Sequence, residues 1–315
     1  MIRQRFSYFD LTRLKSLTII QLHSPVHGMN YLRSIVPKKN SGGTFMPFHR
    51  FEEYENVLLT PHLSTAEAPI IEGKYLYYCL NQKRAGTGSE LHYHPNELLI
   101  FPVLGKINAV VGKDRRVVNQ GTFVLVPPNA RHSMKATEDG PLAYLYIKDQ
   151  TWGVVGVAED EALPDEAPTM EYSQSIVDTG EHKKKKEGDS QAIVDGIPNC
   201  YYPLLEALDA PFRAGTSITW IEGARSAFGL YELPNGHEES QEASENEQFY
   251  YVLEGSMDFT VGNDSKQVTT GDIIEIPKGA PYKFTSTEEE PVRFAAVRSN
   301  AHLEDLIDNQ GAKAL

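Results

Sequence analysis

Cysteine is almost missing from this chain: Cys79 and Cys200 are the two among 315 residues. A disulfide framework is thereby excluded, and a reducing, cytoplasmic setting is expected. No apolar run approaches the roughly 18 residues of a membrane-spanning helix. Positive charge is in deficit, with 30 Lys and Arg against 43 Asp and Glu and a net charge of −13. Neither that total nor any clustered stripe supplies the cations that a phosphate backbone or an anionic lipid surface requires, so neither nucleic acid nor membrane is expected as a partner. The run Lys183 to Lys186 sits between Glu181 and Glu187 and reads as a solvated linker. Acid is scarce in one place. The first 45 residues carry Asp10 alone among many Lys, Arg and Ser, a bias like that of an organellar transit peptide but without a clear amphipathic helix, so they read as an upstream extension.

What the chain does contain is a repeat. At 315 residues it suits two domains, each able to bury a core. From Ile71 onward it matches itself at an offset of 150: Ile71-Glu72-Gly73 recurs as Ile221-Glu222-Gly223, Asn96-Glu97 as Asn246-Glu247, Gly105 as Gly255, Gly121 as Gly271 and Pro127 as Pro277. Glycine and proline dominate the shared positions because they set turns, and turn geometry is what two copies of one β-fold must keep. The first copy has short apolar segments at Tyr75–Leu80, Leu98–Leu104, Ile107–Val111, Thr122–Val126 and Leu142–Ile147, punctuated about every ten residues. That pattern predicts an antiparallel sandwich or barrel. Leu303, Leu306 and Ile307 stand at helical spacing near the C-terminus.

His92 and His94 lie two apart in a segment flanked by apolar runs. Residues two apart on a strand share a face, so both imidazoles can reach one transition-metal ion, at bonds of roughly 2.0–2.1 Å. His132 offers a third: Gly121 opens an apolar strand, Pro127-Pro128-Asn129 turns it, and His132 opens the next. Three histidines at these spacings read as a metal site. The others, His49 and His62 among them, read as surface residues, with one of those two a candidate to close over the barrel mouth.

These stretches resemble the paired motifs of the cupin superfamily, G-x5-H-x-H-x(3,4)-E-x6-G and G-x5-P-x-G-x2-H-x3-N. Gly86, His92, His94, Gly105, Gly121, Pro127 and His132 fall at motif spacings, while Asn129 replaces the turn glycine and Ala136 the final Asn. The motif's carboxylate position is Leu98, and the acid stands one place earlier, at Glu97. A one-residue slip turns a side chain to the opposite face, so only a bulge would bring Glu97 in as a fourth ligand or general base. Glu97 recurs as Glu247 in the copy without histidines, which favours a structural role. There His92, His94, Leu98 and His132 become Glu242, Ser244, Gln248 and Tyr282, and a three-nitrogen site is gone.

The resemblance implies an all-β chain of two tandem jelly-roll barrels with an irregular N-terminal extension and a short C-terminal helix. The expected bounds are 1–50 for the extension, 51–157 for the metal-binding barrel, 158–198 for a polar linker, 199–299 for the degenerate barrel and 300–315 for the helix. It implies one divalent transition metal per chain, Fe(II) foremost, with Mn, Ni, Zn or Cu compatible, and a homodimer acting on a small molecule. A three-histidine site without the glutamate is similar to that of ring-cleaving dioxygenases of the gentisate and salicylate type, which implies oxidative C–C cleavage of an aromatic hydroxy-acid, catechol-like or diketone substrate. A non-oxidative isomerase, lyase, decarboxylase or hydrolase of small polar acids stays open, as does binding without turnover. Arg84, Lys106, Arg115, Arg131, Tyr93, Tyr144 and Tyr146 are candidates to contact substrate through their nearness to the motif strands.

Overall fold

The computed structural model describes residues 45–180 and 189–310. Most of the expected extension, the Lys183–Lys186 run and the last five residues lie outside them. Two β-barrels fill the described residues, every strand pair antiparallel. The first joins a sheet built on Leu76–Lys83, Leu142–Asp149, Leu98–Leu104 and Thr122–Val126 to a second sheet that orders Val157–Ala158, His92–Tyr93, His132–Ala136, Ile107–Val111 and Asp114–Val118. The second barrel repeats this with Ser226–Leu233, Val292–Ser299, Gln248–Glu254 and Asp272–Ile276 facing Glu238–Gln241, Tyr282–Ser286, Ser256–Val261 and Asp264–Thr269.

The large sheet of each barrel is apolar on both faces because each face has something to bury. On Leu98–Leu104, Leu98 and Ile100 enter the interior of the first barrel while Leu99 and Phe101 enter a core shared by the two barrels. Leu142–Asp149 alternates likewise, with Tyr144 and Tyr146 inside and Leu145 and Ile147 in the shared core. Aromatic stacking ties that core together: Tyr78 on Phe249 at 4.9 Å between ring centroids and Phe123 on Phe228 at 4.3 Å.

Two further devices join the barrels, each occurring twice in keeping with the internal repeat. Glu97 accepts hydrogen bonds from Ala224 N (2.6 Å), Ser226 N (3.1 Å) and Ser226 Oγ (2.8 Å) in the second barrel. Its counterpart Glu247 accepts from Lys74, Tyr75 and Leu76 amides in the first. Gly73 and Gly223 stand where these carboxylates press against the turns, and a Cβ at either would displace the glutamate carboxylate. The second device is strand exchange. Phe48–Arg50 pairs with Asp272–Ile276 of the second barrel, and Tyr201–Pro203 pairs with Thr122–Val126 of the first. Residues 48–50 therefore belong to a sheet and not to an irregular extension, and the 198/199 boundary falls before a strand of the first barrel.

The segment expected as a polar linker is also structured in its described parts. Val157–Ala158 pairs with His92–Tyr93, and Ile193 bonds to Asn129 and Arg131 of the first barrel. Between them Met170–Thr179 forms a helix, opened by Thr169, whose side chain accepts from Tyr172 N, and closed by Gly180 at φ 63°. The C-terminal helix runs over Ala301–Gln310 and buries Leu303 and Ile307 against the shared core.

Candidate metal centre

His92, His94 and His132 converge in the first barrel. His92 lies directly opposite His132 across a strand pair, with ring centroids 4.2 Å apart, and His94 reaches the same place at 4.8 Å from His132. The turn that delivers His132 needs a left-handed residue: Asn129 takes φ 60°, and the equivalent Gly279 takes φ 82°. Asn is the side chain that tolerates this conformation best, which is why it can stand in for the motif's glycine.

Each imidazole is oriented by a backbone carbonyl two residues away. Nδ1 of His92 meets Glu90 O at 2.8 Å, that of His132 meets Ala130 O at 2.8 Å, and that of His94 meets Asn96 O at 3.1 Å. A carbonyl only accepts, so each Nδ1 carries the proton and each Nε2 presents a lone pair. The three ligand atoms lie within 4.8 Å of one another. Nε2 of His94 and of His132 are buried and have no hydrogen-bond partner, a costly arrangement unless a ligand satisfies them. A metal ion fits this donor set. Burial, ahead of repulsion from Lys148 and the neighbouring imidazoles, holds His92 and His94 well below the usual imidazole range, and burial brings His132 down to about 4. The rings are therefore neutral at physiological pH and available as ligands without losing a proton. Gly156 packs so closely on this group that a Cβ there would lie 2.6 Å from His92 Cδ2.

Glu97 is not among these donors. Glu97 is 2 % exposed and its carboxylate is taken up by the second barrel's turn, which makes it a structural residue and not the fourth ligand or general base that a bulge would allow. No bulge redirects it, because the register holds from Leu98 to Pro102 and shifts only at the far end of the strand, beside Val103. Leu98 occupies the motif's carboxylate position as an interior apolar residue. Among the other candidates, Arg131 is paired with Glu159, Lys106 with Asp139, and Tyr93 donates to Glu161 O. Tyr144 and Tyr146 face the barrel interior, Tyr144 accepting from Asn81 Nδ2 at 2.9 Å. His49 is buried against Tyr54 and Glu275 in the second barrel, and His62 bonds to Ser173 of the helix Met170–Thr179. Neither joins the three imidazoles.

Two buried lysines of the first barrel escaped the sequence reading. Lys83 and Lys148 lie on interior-facing positions, and burial lowers each to about 7. The signal was present: Lys148 continues the alternation of Tyr144 and Tyr146. In the second barrel the corresponding positions carry a hydrogen-bonded polar chain. Gln248 donates to Ser244 Oγ at 2.7 Å, Tyr250 donates to Gln248 Oε1 at 3.1 Å, and Ser244 Oγ donates to Asn246 O at 2.6 Å.

Comparison with known proteins agrees with this architecture. The family model for the cupin domain matches residues 83–148 and again 229–298. An uncharacterised protein of Streptomyces coelicolor is 30% identical over 88 residues, 27% of this chain and 84% of that protein. Among solved structures, oxalate decarboxylase superposes with a TM-score of 0.57 at 15% identity, covering 84% of this chain and 80% of that one. A structure of the Bacillus subtilis oxalate decarboxylase, a protein with Mn(II) centres, gives 0.56 at 15% identity over the same shares. The chain is a bicupin, a member of the cupin superfamily with both barrels in one polypeptide.

Proposed function

We propose that this bicupin is a metal-dependent enzyme whose single site lies in the first barrel and whose substrate is a small keto- or hydroxy-acid that chelates the ion. The observation that carries the reading is the convergence of three buried, neutral imidazoles, two of whose Nε2 atoms have no protein partner. His92, His94 and His132 would hold the ion, and their carbonyl partners fix the rings so that little reorganisation accompanies binding. A divalent ion there supplies Lewis acidity to a carbonyl or carboxylate oxygen. Apolar Leu98, Ile100, Val111 and Met134 keep the surroundings of low polarity, which strengthens any charge interaction made inside. The fold shared with oxalate decarboxylase supports a non-oxidative reaction, decarboxylation or a related lyase or isomerase step.

One observation favours a second reading. A donor set of nitrogen alone, with Leu98 at the carboxylate position, also suits an Fe(II) dioxygenase that cleaves a C–C bond of an aromatic hydroxy-acid, catechol or diketone. Metal analysis of protein purified without air tests the site itself. Oxygen uptake by the Fe(II) form with gentisate, salicylate, catechols and β-diketones, set beside product analysis of the Mn(II) form with oxalate and keto-acids, separates the two reactions. Uptake that depends on iron and substrate would overturn the non-oxidative reading; metal-free protein that binds no added ion would overturn both.

A further inference from the structure

Lys148 is a fully buried lysine that forms no ion pair among the described residues. It stands on Leu142–Asp149 in register with Leu98 on one side and Tyr77 on the other, and opposed residues on neighbouring strands share a face with Cβ atoms roughly 5 Å apart. Leu98 is the motif's carboxylate position. The chain has thus replaced the acid by an apolar side chain and set an ammonium group beside it. Lys148 is 0 % exposed, and its charge bears on all three imidazoles.

Among the described residues no carboxylate forms an ion pair with it, and Asp149, its neighbour in sequence, acts on it only through space. Nζ donates to Gly153 O and Val154 O, both at 3.3 Å and near the long limit for a hydrogen bond. Lys148 forms none of the ion pairs among the described residues, and the neighbouring Asp149 carboxylate accepts instead from Glu97 N, Thr151 N and Arg225. The other buried lysine is different, for Lys83 donates to Met134 O at 2.5 Å and lies over the Tyr144 ring. The internal repeat supplies a control. Arg298 holds the equivalent position, in register with Gln248, yet its side chain reaches solvent, 35% exposed, where it stacks on Trp220 at 4.3 Å and bonds to Glu222. Where the histidines are missing the cation is paired at the surface; where they are present it is buried with no acid paired to it. Such an unpaired charge is expensive to bury and is retained where a ligand compensates it.

We propose that Lys148 is the anion-binding partner of the metal centre, placing its ammonium against a carboxylate oxygen of a chelating acid so that ion and lysine together select anionic over neutral ligands. The assignment rests on the metal reading above and adds the residue that sets the substrate's charge.

The test uses Co(II)-loaded full-length protein with oxalate as the anionic probe and imidazole as the neutral one, each titrated by calorimetry and by the visible spectrum of the ion. Lys148→Met is expected to weaken oxalate about tenfold to a hundredfold, the value of one charge-assisted hydrogen bond, while imidazole affinity and metal stoichiometry stay within twofold. Lys83→Met is expected to leave oxalate within about threefold. Lys148→Gln, which keeps a donor for the Gly153 and Val154 carbonyls but no charge, replaces Lys148→Met if that variant fails to fold, and the same selective loss is expected of it. Oxalate affinity unchanged in a folded variant, or equal loss of both probes, overturns the assignment. Wild-type protein that binds no Co(II) before any probe is added overturns the metal reading itself, and Lys148's role with it.

Discussion

Replacing Glu97 separates a structural acid from a ligand. In Glu97→Ala the amides of Ala224, Arg225 and Ser226 and the Ser226 hydroxyl lose their acceptor in a buried interface. A buried donor without a partner costs about 1–3 kcal/mol, and part of this is recovered by relaxation and water, so a loss of about 3–5 kcal/mol is expected. For a chain of this size that is a fall in melting temperature of roughly 5–9 °C. Glu97→Gln keeps one acceptor oxygen but turns an NH2 group toward amide donors, and a loss of about 2–3 kcal/mol is expected of it. Glu247→Gln should cost a similar amount, because its carboxylate serves the Lys74, Tyr75 and Leu76 amides in the same way. Urea unfolding reads the stability, and plasma mass spectrometry on the folded protein reads the metal. The decisive quantity is stoichiometry: Glu97→Gln should hold as much metal as the wild type. A loss of metal comparable to that of a histidine variant would refute the reasoning and restore Glu97 as a ligand.

His132→Ala should abolish stoichiometric metal while the far-ultraviolet circular dichroism of a folded β-protein persists, since the ladder from His132 to Ala136 is held by backbone bonds to Ile107–Val111; metal retained at one per chain would contradict the site. Gly156→Ala should displace the His92 ring, lowering metal affinity about tenfold or more with the fold intact, as measured by competition with a chromophoric chelator. The metal-free protein should lose stability in acid. His132 has a folded value of about 4 against 6.5 unfolded, so between these the unfolded chain binds more protons and stability falls as pH falls. His132 alone contributes about 3 kcal/mol across that window, with His92 and His94 acting in the same direction. Urea midpoints that do not shift between pH 7 and pH 4 would contradict this.

The repeat, the barrel strands and the three histidines were legible because they rest on local signals. Turn residues recur at a fixed offset, and Leu98–Leu104, Ile107–Val111 and Thr122–Val126 form with the bounds that their apolar runs predict. What the sequence hid is non-local. Phe48–Arg50 and Tyr201–Pro203 are three-residue strands whose identity depends on an edge contributed by the other barrel, and no periodicity fits in three residues. The helix Met170–Thr179 buries Ser173 rather than an apolar stripe and sits in a polar segment. Lys148 was overlooked because a lysine near a strand end reads as exposed, although strand parity placed it beside Tyr144 and Tyr146. His49 is misread for the same reason as the exchanged strand on which it lies, since its half-buried partner Glu275 is 226 residues away.

The degenerate barrel has a part in the first barrel's chemistry, carried by one turn. Residues 223–226 grip the segment that follows His94: Arg225 donates to Pro95 O at 3.1 Å, and the Ala224 and Ser226 amides hold Glu97. Between those two anchors lies Asn96, whose carbonyl receives Nδ1 of His94 and whose side-chain amide donates to Asp149 O and Trp152 O. The orientation of one imidazole is thus fixed through a single residue clamped on both sides by the other barrel. The reciprocal grip, Glu247 on residues 74–76, acts at the start of Leu76–Lys83, the strand that lies beside the Lys148 strand. The second copy has no histidines at these positions yet supplies the contacts that position the first copy's site, which gives a physical reason for both copies to carry the same glutamate and the same turn glycine.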